Sequence, residues 1–153
     1  MARESLASKR ERAALVEERM YGYYGPGEAS LDYATPFQLT VAVVLSAQCT
    51  DAAVNKVTPT LFGRFGTAEL MAQASVAEVE GVIRSLGFYH AKAKNLVALA
   101  QTCMAEFGGD VPADIDLLQK LPGVGRKTAN CVMCEAFKEP QGIAVYTHVF
   151  RIA

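Results

Sequence analysis

Apolar positions along this chain recur at the spacing of helices rather than of strands. Between residues 75 and 86 the apolar side chains lie three or four positions apart, and the same spacing returns over residues 89–107. This period places them on one face of a helix. Strand-like alternation is confined to Ile143–Val145. The pattern therefore predicts an all-α domain with short connections between its helices.

Helix start signals are explicit in several places. Thr35-Pro36-Phe37-Gln38 combines a threonine N-cap, a proline at the first helical position and a glutamine at the third. Ser75 and Glu78 have the spacing of a capping box. For the apolar run Leu39–Leu45, a buried helix is favoured and a buried strand stays open, because periodicity does not separate the two. Asp51 is the predicted cap of a helix that runs to about Leu61, and Thr67 is predicted to start a short one to about Met71. The other predicted helices cover 3–21, a segment from Thr35 through Leu45, 75–86, 89–107, Asp114–Lys120, Arg126–Phe137 and a last one from Thr147.

Length and composition describe one globular domain. The 153 residues are 51% hydrophobic and 20% charged, which is enough apolar content for a sizeable core. No apolar run is long enough to span a membrane, and the N-terminus lacks a signal-peptide core, so we expect a cytoplasmic protein. A net charge of −1 gives no global sign of a nucleic-acid partner, although Lys120, Arg126 and Lys127 form a local basic set.

The four cysteines do not form a disulfide framework in a cytosolic chain of this size. Cys131 and Cys134 have helical spacing and no preceding strand, unlike a thioredoxin-type site. We therefore predict buried packing thiols rather than metal or redox ligands at Cys49, Cys103, Cys131 and Cys134.

The segment Leu121–Asn130 carries the most chemistry. Its Pro-Gly-Val-Gly turn joins two predicted helices into a helix-hairpin-helix over residues 114–137. Glycines such as Gly123 and Gly125 permit positive φ and close backbone approach, so the hairpin amides can point at a phosphate. The second helix offers its N-terminal amides and dipole to the same anion. A tight turn with no ligand is the alternative interpretation.

Lys127 lies in the first turn of the second predicted helix. The positive end of the helix dipole, and burial in a cleft, would both favour a neutral amine there. A neutral amine can attack an electrophilic sugar carbon and form a Schiff base. The residues alone are equally compatible with an exposed lysine that binds phosphate.

The hairpin segment resembles the endonuclease III family, helix-hairpin-helix DNA glycosylases with abasic-site lyase activity on oxidised pyrimidines. The likeness covers roughly residues 30–153, and further stretches carry it: Leu45–Gln48, Thr50-Asp51, Val54–Lys56, Gly87–Tyr89 and Thr147–Arg151. The resemblance implies a helical barrel domain of the DNA glycosylase type over 30–153. It makes residues 1–29 a leading helix and linker that form half of a second lobe.

The resemblance also implies roles for single residues. Lys127 matches the nucleophilic lysine, Gln48 the glutamine that fills the gap in the duplex, and Phe88 the apolar wedge. Such residues offset the cost of flipping a nucleotide out of the stack. By themselves, Gln48 fits a helix-end amide bonded to backbone, and Phe88 a core aromatic. The resemblance assigns the phosphate grip to Gly123, Gly125 and Arg126.

Position 146 departs from the family pattern. The chain reads Val145-Tyr146-Thr147-His148, where the family has an aspartate that assists deprotonation and stabilises charge on the sugar. A tyrosine is neutral at pH 7 and supplies no such field. We therefore predict strongly reduced base excision, with lyase activity on preformed abasic sites surviving through Lys127. His148 offers a base, but a structural histidine is favoured.

Length is the second departure. The family carries a C-terminal cysteine set that binds a [4Fe–4S] cluster, and that segment is absent from this sequence. We expect no metal or cofactor in this chain, and we interpret it as an N-terminal portion whose second lobe is incomplete. The implied partner is double-stranded DNA with a damaged base or an abasic site, bound by a bacterial-type, nucleoid-associated monomer. The alternatives are a catalytically silent, sequence-independent DNA-binding module and an all-α scaffold without a DNA role.

Overall fold

A computed structural model of the chain describes residues 5–25, 29–142 and 144. All regular elements in these ranges are helices, as predicted. Ile143, Val145 and the helix predicted from Thr147 lie outside the described residues. The helices are α1 (Leu6–Tyr24), α2 (Pro36–Ser46), α3 (Asp51–Phe65), α4 (Ala68–Gln73), α5 (Val76–Ile83), α6 (Tyr89–Glu106), α7 (Ile115–Leu118) and α8 (Arg126–Glu135).

α2 is the central helix of the core, which decides the helix-or-strand question for Leu39–Leu45. Thr35 caps it by accepting a hydrogen bond from the Gln38 N–H at 3.2 Å, and Pro36 is its first residue. Every residue of the run Leu39–Leu45 is buried, as expected for a helix surrounded by protein. α2 packs against α3, α6 and α8, so it supports all the elements around the site.

The capping predictions hold at Thr67 and Ser75 and fail at Asp51. Ser75 and Glu78 form the complete capping box, and Thr67 caps α4. At the start of α3 the cap is Thr50, whose hydroxyl accepts from the Ala53 N–H at 3.3 Å. Asp51 is instead the first helical residue, and its carboxylate accepts a hydrogen bond from the Ser30 hydroxyl.

Several helix ends differ from their predicted positions. α1 passes through Gly22 and ends at Tyr24, and α3 continues beyond Leu61 to Phe65. α7 and α8 are shorter than predicted, since they end at Leu118 and Glu135. These shifts arise because helix ends depend on packing and on local hydrogen bonds as well as on propensity.

The interior is assembled by helix pairs on both sides of α2. α6 packs against α4 and α5, and α7 packs against α8. α1 buries none of its residues, so its place in a second lobe stays a prediction. None of the helices in the described ranges combines the length and apolar content needed to cross a membrane.

Candidate active site

The hairpin between α7 and α8 exposes the N-terminus of α8. Leu121 and Val124 are buried and anchor the turn, and the Val124 N–H donates to the Leu121 carbonyl at 3.0 Å. Gly125 is the N-cap of α8 and, having no side chain, makes no side-chain cap hydrogen bond to the first-turn amides. The amides at a helix N-terminus are suited to bind an anion.

The two hairpin glycines are required for different reasons. Gly123 has φ of 81°, and a Cβ there would lie 3.1 Å from Asn95 Cβ and 3.3 Å from Val44 Cγ1. Gly125 has φ of −91°, so the expectation of positive φ is right for Gly123 and wrong for Gly125. A Cβ on Gly125 would meet no atom of the other described residues within 4 Å. Packing therefore demands the first glycine, while the second leaves open space in front of α8.

Lys127 lies at the second position of α8 and lines a cleft of about 530 Å³ together with Gln48. Asp51 contributes a carboxylate to the same cleft, a role the sequence did not suggest because this residue was assigned to capping. Lys127 itself is exposed to solvent, so the burial that would favour a neutral amine is not observed. The other lining residues are Val43, Ser46, Ala47, Cys49 and Thr128.

A second hollow of about 260 Å³ adjoins this cleft through Gln48. Phe88 and Gly123 line it, so three residues that are distant in sequence meet here. The structure thus brings Gln48, Phe88 and the hairpin to one face, with Lys127 on the other side of Gln48. Its remaining lining residues are Val44, Ala47, Ala91, Lys92 and Asn95.

Gln48 and Phe88 both adopt left-handed backbone conformations, with φ of 57° and 58°. Lys138 is the remaining non-glycine residue with positive φ in the described ranges. A left-handed conformation costs a residue with a Cβ roughly 1–2 kcal/mol, and such strain concentrates at functional positions. Two of these three residues with a strained backbone are the ones that the family resemblance selects.

The side chains of these two residues face solvent. Phe88 is 68% exposed, so the core-aromatic interpretation is wrong. Gln48 is exposed, and its side chain has no hydrogen-bond partner among the described residues. Within the described residues, Gln48 is therefore not a helix-end amide that bonds to the backbone. An exposed phenylalanine beside an exposed amide is a surface suited to contact bases.

The basic residues around the hairpin are exposed. Arg126 lies 3.7 Å from Asp116 in an ion pair between two largely exposed side chains. Surface pairs of this kind contribute little stability, so Asp116 does not prevent Arg126 from turning to a phosphate. Lys120 is also exposed.

The cysteine predictions are right for one residue and wrong for another. Cys103 is fully buried in the core, and burial, followed by the charge of Asp110, raises the pKa of its thiol to about 11. Cys49 and Cys131 are half-buried, and burial is the largest cause of the raised pKa of the Cys131 thiol. Cys134 is exposed.

The described cysteines do not form the four-thiolate set that an iron–sulfur cluster needs. No group of three or more potential metal ligands occurs within residues 5–25, 29–142 and 144. Tyr146 and His148, which the sequence singled out, lie outside these ranges.

Lys92 is the residue that sequence reasoning missed. It is 5% exposed, and its Nζ donates to the Leu45 carbonyl at 2.8 Å and to Cys49 Sγ at 3.1 Å. A signal was present in the sequence, because Lys92 precedes Leu96 by four positions and so falls on the apolar face of α6. A lysine on the apolar face of a helix needs a specific hydrogen-bond partner.

The fold and this face together define a helix-hairpin-helix protein. Residues 41–153 match the family described as HhH-GPD superfamily base excision DNA repair protein, and the chain belongs to that family. Among curated relatives, it is 46% identical to Endonuclease III of Synechocystis sp. over 97% of this chain and 68% of the relative. It is 50% identical to Endonuclease III of Bacillus subtilis over 82% of this chain and 57% of the relative.

Solved structures agree with these relatives. A non-covalent Endonuclease III–DNA complex superposes with a TM-score of 0.86 at 44% identity, over 94% of this chain and 66% of that chain. A thermostable thymine-DNA glycosylase superposes with a TM-score of 0.82 at 23% identity, which supports the fold alone. The chain thus spans between 57% and 68% of the length of these two curated relatives.

Proposed function

We propose that this chain supplies the helical barrel of a DNA glycosylase with abasic-site lyase activity, acting on oxidised pyrimidines in duplex DNA. The observation that carries the proposal is the cleft in which Lys127, at the N-terminus of α8, lies beside Gln48. Membership of a base excision repair family supports it, as does similarity to Endonuclease III in complex with DNA.

The hairpin would hold the DNA backbone next to the damaged nucleotide. The first-turn amides of α8 and the open space before Gly125 suit a phosphate oxygen. Arg126 would add a charge-assisted hydrogen bond to the same strand. Contacts of this kind fix the register of the protein on the duplex without reading its sequence.

Gln48 and Phe88 would act on the base stack. Extruding a nucleotide costs a few kcal/mol because base pairing and stacking are lost. An amide that fills the vacated position and an aromatic wedge beside it offset part of that cost. Both side chains are exposed on neighbouring left-handed turns, so they are presented to DNA without a prior rearrangement.

Lys127 would then be the nucleophile. Its neutral amine attacks C1′ of the flipped nucleotide, a C–N bond to the lysine forms, and the glycosidic bond breaks as the base leaves with its electron pair and gains a proton. The lysine nitrogen then expels O4′ from C1′, so that the sugar ring opens and O4′ gains a proton, and the resulting protonated imine acidifies C2′. Loss of a proton there expels the 3′ phosphate and cleaves the strand by β-elimination.

In this proposal, Tyr146 affects base excision and abasic-site lyase activity differently. Base departure builds positive charge on the sugar, and the family carboxylate that would stabilise this charge is replaced by a neutral phenol. A preformed abasic site presents an aldehyde and has no base to expel. We therefore propose strongly reduced base excision, with lyase activity on abasic sites maintained by Lys127.

Borohydride trapping on a duplex with a preformed abasic site tests the nucleophile. The chain should form a covalent adduct, Lys127→Met should form none, and Lys120→Met is the matched control, since it removes an exposed lysine near the same hairpin. Trapping by Lys127→Met at the wild-type level would refute the proposal.

A duplex that contains an oxidised pyrimidine tests the role of position 146. Tyr146→Asp should be trapped much faster than the wild-type chain on this substrate, and at a similar rate on the preformed abasic site. Equal rates on the oxidised pyrimidine would contradict the assignment. Duplex binding without trapping on either substrate would support the catalytically silent module, which the tyrosine at position 146 favours.

A further inference from the structure

Lys92 places a charged group in the interior between the turns that carry Gln48 and Phe88. Its Nζ donates to the Leu45 carbonyl at 2.8 Å and to Cys49 Sγ at 3.1 Å. Leu45 and Cys49 lie on either side of Gln48 in the sequence. The lysine side chain therefore holds the Gln48 turn from both of its ends.

The backbone of the same residue holds the other turn. The Lys92 N–H donates to the Phe88 carbonyl at 3.0 Å, which closes the first turn of α6 on a residue with φ of 58°. Cys49 Sγ also lies 3.9 Å from the position of a Cβ on Gly87, the residue before Phe88. One residue thus contacts both left-handed turns, and the sulfur that it bonds lies between them.

Two ordinary explanations of a lysine at this position do not fit. A lysine that binds phosphate is exposed, whereas Lys92 is 5% exposed. A buried lysine in an ion pair has a carboxylate partner, and within the described ranges Lys92 forms no such pair; its contacts are a carbonyl and a thiol. Burying an ammonium group is costly, so its presence here points to a need for this geometry.

We infer that Lys92 is a positioning residue that fixes the separation of Gln48 and Phe88. This inference rests on the proposed function, because the separation matters only if both side chains enter the base stack. With the two turns held together, the gap-filling amide and the wedge meet the duplex as one preorganised unit. Without Lys92, each turn would order separately on DNA, and recognition of an abasic site would weaken.

The test compares Lys92→Met with Lys94→Met, which removes an exposed lysine from the same helix. The measured quantity is the preference for a duplex with a tetrahydrofuran abasic-site analogue over the undamaged duplex. Lys92→Met removes both side-chain hydrogen bonds and should lower this preference about tenfold. Lys94→Met should keep the wild-type preference.

Salt dependence separates positioning from direct phosphate contact. A positioning residue leaves the slope of affinity against salt concentration unchanged. If Lys92→Met instead weakened binding to both duplexes alike and lowered that slope by about one unit, Lys92 would be a phosphate ligand and the inference would be wrong. A wild-type preference in a folded Lys92→Met chain would also overturn it.

Amide hydrogen exchange, measured without DNA, tests the coupling of the Gln48 and Phe88 turns independently of the proposed function. The Cys49 amide donates to the Ser46 carbonyl at 3.0 Å. Its hydrogen should exchange faster than in wild type in Lys92→Met and at the wild-type rate in Lys94→Met. Unchanged exchange in Lys92→Met would overturn the inference. A wild-type chain that does not distinguish the two duplexes would refute the proposed function, and the exchange rates would then decide the coupling alone.

Cys49→Ala keeps the inference testable if Lys92→Met does not fold. It removes the sulfur contact and leaves the bond from Lys92 to Leu45. The preference for the abasic-site duplex should then fall by a smaller factor, about two to three, in the same direction. No change in that preference or in Cys49 amide exchange would count against the coupling.

Discussion

The interior around α2 and the face that carries Gln48 and Phe88 follow opposite rules. In the interior, apolar residues at helical spacing are buried and threonine or serine caps begin the helices. On the face, a phenylalanine is exposed, two residues with side chains have left-handed φ, and a lysine is buried. The two regions are adjacent, since Lys92 bonds the carbonyl of Leu45 at the end of α2.

The difference shows where local preference and tertiary structure disagree. A sequence specifies its fold when propensity, pattern and packing agree, and natural proteins depart from this agreement mainly at functional sites. Here the departures share one surface, next to the N-terminus of α8 and Lys127. In the proposed function, the packing of α2 and α6 maintains this strain and keeps Gln48 and Phe88 in place for contact with DNA.

The largest expected effect is on stability, in a comparison of the two hairpin glycines. Gly123 packs against the interior, whereas Gly125 lies on the exposed face. Gly123→Ala should lower the free energy of unfolding by about 2–3 kcal/mol, because it combines a left-handed φ with contacts to Asn95 and Val44. Gly125→Ala should change it by less than about 0.5 kcal/mol, since its Cβ would enter open space. Denaturant unfolding measures both values.

The two glycine variants should show the opposite order of effects on the affinity for duplex DNA. If Gly125 leaves room for phosphate, then Gly125→Ala should weaken duplex binding while the fold is unaffected. A Gly125→Ala chain that binds duplex DNA as tightly as wild type would remove this glycine from the phosphate grip.

A smaller and opposite effect is expected at the strained residues. Phe88→Gly should raise the free energy of unfolding by about 0.5–1 kcal/mol, because relief of the left-handed strain exceeds the entropy cost of glycine. The same change should lower the preference for an abasic-site duplex, since the wedge is lost. Gln48→Gly should act in the same direction. A loss of stability in both variants would mean that these conformations are not strained.

The smallest effect concerns the capping box of α5, which belongs to the region where local rules hold. The hydrogen bond from the Ser75 side chain lowers the pKa of the Glu78 carboxyl below its ordinary value of 4.5. Because the folded-state pKa is the lower one, this stabilisation is complete above pH 4.5 and is lost as the pH falls through the folded-state pKa.

Thermal unfolding of wild type and Ser75→Ala against pH measures this contribution. The difference in Tm should be present at pH 7 and shrink as Glu78 is protonated. A difference that is constant from pH 7 to pH 3 would show that the cap acts without the carboxylate.

Much of the fold was predictable because local signals and packing agree. The capping box at Ser75 and the cap at Thr67 depend on a few neighbouring residues, so the sequence is sufficient to locate them. The cap at Asp51 was wrong, since Thr50 is also suitable and a hydrogen bond from Ser30, distant in sequence, occupies the carboxylate. The exposure of Cys134 likewise depends on how α8 is rotated in the fold.

The site was predictable only in part, for a similar reason. Resemblance to a family selected Lys127, Gln48 and Phe88, and their proximity follows from the arrangement of α2, α6 and α8. The left-handed φ values have no sequence signal, because neither glutamine nor phenylalanine favours them. Lys92 had a signal in its apolar register, but its partners on the Gln48 turn appear only in three dimensions.

The most direct test of the central claim is to locate the covalent adduct. After borohydride trapping on a preformed abasic-site duplex, digestion and mass spectrometry of the complex should place the reduced sugar on the peptide that contains Lys127. An adduct on Lys92, on Lys120 or on the N-terminal amine, with Lys127 unmodified, would contradict the assignment of the nucleophile to the first turn of α8.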